Sequence, residues 1–295
     1  MEIKNAKKSP KFVEFGTFFR LLHDLDIEIL SQLESDPFAA RYLARFGSNS
    51  CTIRLRRDDV SCTNDTLYMA WELETNNAQK LLRKGNTITG LASVLRVAEQ
   101  GRPGFVICDH FGSRTIDDIE TNDIRLSLDV VLQITMSFMR LLEARANVGI
   151  CALLPDAKTI TVQGKDVKFL EPTAVHAGDL CPCELRELPV NKLKFVTRGE
   201  LEMAWPFGAA ALLTRLLSGK ARQISYSSSK SLPQLQLCLV GAIDAAARLS
   251  EKNFPKASRS MLLEIVTHAL GANESDRPPF NEFYGVLKKL AENGT

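Results

Sequence analysis

The sequence predicts an α+β fold in which a small strand-rich part precedes a larger helical part. Between Cys51 and Cys108, apolar and polar residues alternate in several short runs, as they do in half-buried strands. From Leu126 to the end of the chain, apolar residues recur mostly at helical spacings. A chain of 295 residues can build a sizeable core in one large domain or two modest ones.

Composition and charge indicate a globular protein and argue against several classes of partner. The chain is 45% hydrophobic and 24% charged, and 37 basic residues nearly balance 35 acidic ones, so no footprint for nucleic acid is expected. No apolar run reaches the length of about 18 residues that a membrane span needs, and the N-terminus lacks the apolar core of a secretory signal. The seven scattered cysteines favour reduced thiols and a cytoplasmic location, with the nucleus left open.

Residues 12–46 are predicted to be helical, with a break at Asp36-Pro37. Their apolar residues recur at spacings of three and four and form one face: Phe15, Phe18, Phe19, Leu22, Leu25, Ile29 and Leu33. A face this apolar is expected to be covered. The nearest cover is the strand-rich part, around a short helix predicted at Asn77–Lys84.

Two runs in the strand-rich part have the alternation of strands. The first contains Cys51, Ile53 and Leu55, and the second occupies residues 67–73. Farther on, apolar runs at residues 91–98 and 105–108 flank the turn GRPG, which predicts a β-hairpin. The helical part begins with a long amphipathic pattern over Leu126–Leu142.

The segment GICALLPDAKTITV at residues 149–162 resembles the catalytic loop of protein kinases, H-R-D-L-x-x-x-N followed by a short strand. In this alignment Ala152, Leu153 and Leu154 fall at the positions of the His, the Arg and the catalytic Asp. Thr159 falls at the magnesium-binding Asn. A kinase uses that Asp to orient the substrate hydroxyl and accept its proton, and leucine can do neither.

Two further segments resemble kinase motifs beside the nucleotide pocket. CDHFGSRTIDDI at residues 108–119 is similar to the hinge between the lobes, with Cys108 as the gatekeeper. VKFLEPT at residues 167–173 is similar to V-K-I-x-D-F-G, with Glu171 at the Asp. We interpret Glu171 as a surface or paired carboxylate in preference to a residual metal ligand.

The last matches lie in the helical part and follow the order of the family. PCEL resembles A-P-E-L, with Glu184 at its acid, and WPFG at residues 205–208 resembles the W-S-F-G of a buried central helix. Residues 262–290 resemble the closing motif of tyrosine and tyrosine-like kinases, with Arg277 at its Arg. The resemblance implies a buried ion pair between Glu184 and Arg277.

The strand-rich part resembles the family least. GSNSCTIR at residues 47–54 stands at the Gly-rich loop but keeps one glycine. YMAWEL at residues 68–73 resembles the strand that carries the catalytic lysine, which puts Glu72 at the lysine. The helix that should carry the paired glutamate offers only Gln79 or Lys80. An anion in place of the lysine would repel a nucleotide phosphate instead of attracting it.

This resemblance implies a two-lobed, protein-kinase-like fold: an N-terminal helical extension at residues 1–46, a β-rich N-lobe at 47–111 and a helical C-lobe at 112–295. It further implies a pseudokinase, not an enzyme, that works as a scaffold or allosteric regulator of a protein partner. No catalytic, cofactor-binding or metal-binding residue is assigned, no cofactor is expected, and neither nucleic acid nor membrane is expected as a partner.

Two other functions remain open on the sequence. The first is an atypical nucleotide-binding transferase with relocated catalytic groups, which would require the pocket to bind nucleotide. The second is an α+β interaction domain unrelated to kinases. It would lack a five-stranded small lobe hinged to a helical large lobe.

Overall fold

The chain has an α+β fold. A computed structural model describes residues 26–293 apart from 34–37, 58–65, 85–87, 99–103, 111, 113, 151, 174, 176, 189–191, 193–194, 219–231 and 272. The strands within these residues are β1 (Ile27–Gln32), β2 (Ala39–Phe46), β3 (Asn49–Arg56), β4 (Val94–Ala98), β5 (Phe105–Asp109), β6 (Arg114–Thr115), β7 (Ile160–Gln163) and β8 (Asp166–Phe169). The α-helices are α1 (Thr66–Arg83), α2 (Ile116–Thr121), α3 (Leu128–Asn147), α4 (Cys183–Arg186), α5 (Arg198–Ser218), α6 (Leu232–Leu249), α7 (Lys256–Ala269) and α8 (Phe280–Asn293).

Five of the strands form one antiparallel sheet in the order β1-β2-β3-β5-β4. Helix α1 connects β3 to β4 and packs against β4 and β5. Because side chains alternate across a strand, Arg54 of β3 points to the face that α1 covers, while its neighbours Ile53 and Leu55 point to the other face. We call these the inner and the outer face of the sheet.

The prediction that residues 12–46 are helical is wrong where the structure describes them. Residues 27–32 and 39–46 are strands β1 and β2, and β2 pairs with β3 without interruption from Ala39 opposite Arg56 to Phe46 opposite Asn49. The sheet therefore begins before residue 47. This long-range pairing overrides the four-residue spacing of Leu25, Ile29 and Leu33. Residues 12–25, which carry most of the predicted apolar face, lie outside the described part of the chain.

The strand predicted at residues 67–73 is also wrong, because these residues begin α1. The helix is longer than the one predicted at Asn77–Lys84, and it buries Trp71, Glu74, Ala78 and Leu81 against the sheet. Spacings of three and four residues along this face outweigh the two-residue spacing between Met69 and Trp71.

The remaining main elements agree with the predictions. β4 and β5 form the expected hairpin, and α3 covers the amphipathic pattern predicted over Leu126–Leu142. The segment WPFG lies inside α5, whose residues from Ala204 to Leu213 are all buried. One apolar core joins the inner face of the sheet and α1 to α3, α5, α7 and α8. No described helix is long and apolar enough to cross a membrane.

Candidate functional site

Arg54 is the centre of a buried charge cluster beneath the five-stranded sheet. The strand β3 directs it towards α1, and only 1% of its surface is exposed. Its Nη2 donates to Oε2 of Glu74 over 2.9 Å, and its Nε donates to Oε1 of the same carboxylate. This is the two-pronged geometry in which a guanidinium binds a carboxylate most strongly. The pair therefore joins the sheet to α1 across the core.

Glu171 is the second acid of the cluster and comes from a different part of the chain. It follows β8 and is 3% exposed, and its Oε2 accepts from Nη1 of Arg54 over 3.1 Å. The backbone places it there, because the amide of Ala92 donates to the carbonyl of Phe169 over 2.9 Å and the amide of Phe169 donates to Gly90 over 2.8 Å. Of the two predicted roles, a surface carboxylate or a paired one, Glu171 is the paired carboxylate, and it is buried.

Arg41 completes the cluster from strand β2, where it stands directly opposite Arg54 on the neighbouring strand. Two cations in these positions repel each other. Glu171 offsets the repulsion, because its Oε1 forms an ion pair with Nε of Arg41 while its Oε2 binds Arg54. Both carboxylate oxygens of Glu171 are thus bound to guanidinium groups, and the cluster holds two cations and two anions.

The surroundings of the cluster are buried and partly apolar. The ring of Phe38 lies 5.7 Å from the guanidinium of Arg54, and Cys108 of β5 is buried beside it. Burial, and then the nearby charges of Glu74 and Glu171, raise the pKa of the Cys108 thiol far above its usual range. The thiol is therefore neutral and acts as a small apolar side chain.

The expected role of Glu72 is wrong. Glu72 lies on the exposed side of α1, two residues before Glu74, and Arg54 is the cation that faces the acid of this helix. The expectation that the helix offers only Gln79 or Lys80 is wrong for the same reason. The cation that α1 faces is therefore Arg54, and Glu72 lies outside the charge cluster.

The segment that resembles a catalytic loop is packed into the core. Leu154 is 1% exposed and lies against Gly208 of α5, where a Cβ atom would come within 2.7 Å of its Cδ1. Thr159 is also buried, and its hydroxyl donates to the carbonyl of Asp156 over 2.8 Å within a 3₁₀ turn at Ala157–Thr159. These side chains stabilise the loop and have no proton-accepting group to offer a substrate.

Arg145 of α3 holds this loop in place, a role that the sequence did not predict. It is 3% exposed, and its Nη2 donates to the carbonyls of Ala152 and Leu153 over 3.2 and 2.7 Å. Its guanidinium also lies 5.5 Å from the centre of the Phe169 ring. The available signal was a basic residue within the apolar pattern of a buried helix, since such a residue needs acceptors.

In the helical part, Arg277 and Glu184 come together as predicted. Nη2 of Arg277 lies 2.5 Å from Oε1 of Glu184, and its guanidinium stacks 4.9 Å from the centre of the Phe207 ring. The pair is not fully buried, because the arginine side chain is 2% exposed and that of the glutamate is 41% exposed.

The charge cluster is chemically closed. Its cations and anions neutralise one another, and both oxygens of Glu171 already form ion pairs with guanidinium groups. Within the described residues, no group of three His, Cys, Asp or Glu side chains is placed to hold a metal ion. The cluster is built to connect the sheet, α1 and the segment after β8.

Comparison with protein-family models gives no match, and comparison with curated proteins gives none either.

Proposed function

We propose that this protein is a pseudokinase, which has no phosphotransfer activity and acts as a scaffold or allosteric regulator of a protein partner. The observation that carries the proposal is the bridge from Arg54 to both Glu74 and Glu171. An active kinase needs a lysine on the third strand paired with a glutamate of the next helix, and a separate acid that binds magnesium. In this proposal, Arg54, Glu74 and Glu171 correspond to these three positions.

The order of the elements supports the same proposal. Three strands, a helix, two strands and then mostly helices follow one another along the chain. This is the order that the resemblance to kinases implies, and the five-stranded sheet argues against an unrelated interaction domain. We propose that the sheet and the helical part form two lobes.

The replacement of lysine by arginine changes what the cluster can do. A lysine ammonium binds one acid and leaves the metal-binding acid free. The planar fork of Arg54 reaches both acids at once, and Arg41 occupies the remaining oxygen of Glu171. Magnesium would have to displace two guanidinium groups from Glu171, and each of them would lose its ion pair with that acid in a buried site. The closed cluster therefore favours one fixed position of the sheet relative to α1, without bound magnesium nucleotide.

The segment that resembles a catalytic loop supports the absence of phosphotransfer. Leu154 stands at the position of the proton-accepting Asp and is used as a core residue against Gly208. Without phosphotransfer, the function left to the folded chain is to bind other proteins through its surface. We therefore assign the function to binding a partner, with the charge cluster keeping the sheet and α1 in one relative position.

The test of this proposal is a thermal melt with millimolar ATP in the presence and absence of magnesium. A ligand at 100 times its dissociation constant stabilises a fold by about 2.7 kcal/mol, and we expect no shift of that size. The variant Glu171→Ala is the control. A magnesium-dependent rise in the melting temperature that Glu171→Ala abolishes would contradict the proposal and favour the nucleotide-binding transferase.

The regulatory half of the proposal needs a second experiment. The intact chain would be purified by affinity from its native cells, and any protein found with it would be expressed and bound to it in a purified system. We expect its dissociation constant to be the same with and without ATP and magnesium. A partner that the chain phosphorylates, or that binds only in the presence of nucleotide, would contradict this.

A further inference from the structure

The C-terminal end of α3 is capped by two lysines that belong to a different helix end. Nζ of Lys80 donates to the carbonyl of Gly149 over 2.7 Å, and Nζ of Lys84 donates to the carbonyl of Val148 over 3.2 Å. Val148 is the C-cap of α3, whereas Lys80 lies in the last turn of α1 and Lys84 directly follows that helix. The two helix ends are therefore joined by hydrogen bonds from side chains to backbone.

The backbone at this end of α3 leaves carbonyl groups for a donor from elsewhere. The chain turns at Gly149, whose φ is +78° and whose amide donates to Ala146 over 2.8 Å, while the amide of Ile150 donates to Arg145 over 3.2 Å. These are the bonds of a Schellman motif, which satisfies only some of the last carbonyls of a helix. The aligned peptide dipoles also give this end a partial negative charge, so two ammonium groups there are favourable.

The capped end of α3 leads directly into the segment that resembles a catalytic loop. Arg145, one turn before the cap, binds two carbonyls of that segment. On the other side of the contact, α1 carries Glu74 into the charge cluster, and Asn77 in its next turn donates from Nδ2 to the carbonyl of Thr173 over 3.4 Å. The two lysines therefore lie where α1 meets the segment that contains Leu154.

We propose that Lys80 and Lys84 form an electrostatic latch, which holds the end of α1 against the end of α3 and opens when the lysine charges are removed or screened. Both lysines are exposed, so salt reaches them, whereas Arg54 and Glu74 are buried and are screened much less. Acetylation, which removes the charge of a lysine, would open the latch. The charge cluster would still hold the middle of α1 to the sheet. The proposal rests on these contacts and does not depend on the proposed function.

Hydrogen exchange of the full chain, read by mass spectrometry, tests the latch. In the double variant Lys80→Gln/Lys84→Gln, we expect exchange at residues 80–84 and 148–150 to become about threefold faster or more, because two favourable charges at a helix end are lost. Lysine and glutamine have nearly equal helix propensities, so the substitutions do not weaken α1 itself. Unchanged exchange in both segments would overturn the proposal.

Arg83→Gln is the matched control. Arg83 lies in the same last turn of α1, and its Nη2 donates to Oε1 of Gln79 in its own helix over 3.4 Å. The control thus removes a charge from the end of α1 without touching the contact with α3. We expect exchange in both segments to equal that of the wild type. Acceleration as large as in the double variant would mean that the charge acts on α1 alone, and the proposal would fail.

Salt provides a second measurement, which needs no substitution. At 1 M NaCl the screening length falls to about 3 Å, so the wild type should exchange about twofold faster or more in both segments than at 0.05 M. The double variant should show no such acceleration. No acceleration in the wild type, or an equal one in both proteins, would overturn the proposal. Residues 204–213 of α5 are buried and monitor the fold. If they also exchange faster in the double variant, it has lost global stability, and the salt response of the wild type alone decides.

Discussion

Arg277 and Glu184 form an ion pair in which the cation is buried and the anion is half exposed. The two side chains are 93 positions apart in sequence, and Nη2 of the arginine lies 2.5 Å from Oε1 of the glutamate. Nε of Arg277 also donates to the carbonyl of Gly271 over 3.2 Å. The arginine thus connects the short helix α4 to the turn before α8. The two partners differ in their exposure to solvent, because only the arginine is buried.

We expect Arg277→Ala to lower the free energy of unfolding by about 1.5–3 kcal/mol, the range for hydrogen bonds to charged groups. A fully buried pair would lose about 3–5 kcal/mol, but solvent screens the half-exposed glutamate. Chemical denaturation measures the difference. Arg277→Lys keeps the positive charge but lacks the planar guanidinium group, so it should recover only part of the lost stability. Equal stability of Arg277→Ala and the wild type would contradict a stabilising role for the ion pair of Arg277 with Glu184.

The two glutamates of α1 provide a matched pair of substitutions. Glu74→Gln removes a charge from a site with no exposed surface and leaves Glu171 to offset the charges of both Arg54 and Arg41, so we expect a loss of about 3–5 kcal/mol in the free energy of unfolding. Glu72→Gln makes the same chemical change two residues earlier, on the exposed side of the helix. Its effect should stay within about 0.5 kcal/mol.

The comparison of these two variants also tests which acid belongs to the charge cluster. Both would be followed by urea denaturation under the same conditions. A larger loss from Glu72→Gln than from Glu74→Gln would mean that Arg54 is not the partner of this helix, and the central argument for the proposed function would fail.

The parts of the fold that the sequence predicted are those in which local pattern and tertiary packing agree. Helix α3 is buried over most of its surface between Val131 and Leu142, and apolar residues make up most of that run. Glu184 and Arg277 were predicted to meet because each stands in a segment that resembles a family motif. Such agreement between levels is typical of long, periodic elements.

The sequence could not predict the charge cluster, because its main cation lies on the polar side of a predicted strand. The alternation of Cys51, Ile53 and Leu55 suggested that Arg54 faces water, whereas α1 covers that side of the sheet. Assigning α1 as a strand also hid Glu74. A useful signal was the face formed by Trp71, Glu74, Ala78 and Leu81, where an acid among apolar residues at helical spacing calls for a buried cation.

His110 should make stability depend on pH. Its Nδ1 lies 3.1 Å from the hydroxyl of Thr52 just after β5, and burial lowers its pKa from 6.5. The folded state thus favours the neutral ring, and its contribution is present above about pH 6.5 and is lost as the pH falls through the lowered value. The stability advantage of the wild type over His110→Gln should shrink between pH 7.5 and pH 5.

Thermal melts at each pH check this expectation, and His268 provides the control because it is exposed on α7. His268→Gln should follow the wild type at every pH. A gap between wild type and His110→Gln that stays constant, or widens as the pH falls, would show that the ring is not held neutral.

Gly178 fixes the position of the loop that contains Leu154, and replacing it should disturb that loop selectively. Its amide donates to the carbonyl of Leu154 over 2.9 Å, and a Cβ atom there would overlap the backbone of Pro155 and Asp156. Backbone cannot give way as a flexible side chain can, so we expect Gly178→Ala to cost at least about 1–3 kcal/mol.

Gly285→Ala is the control, because this glycine lies exposed within α8 with open space around it, and alanine there should stabilise the helix by up to about 1 kcal/mol. Urea denaturation compares the two variants, and hydrogen exchange should show faster exchange around residues 152–159 in Gly178→Ala alone. If both variants are as stable as the wild type, the loop is not held against Gly178, and the assignment of Leu154 to the core loses its support.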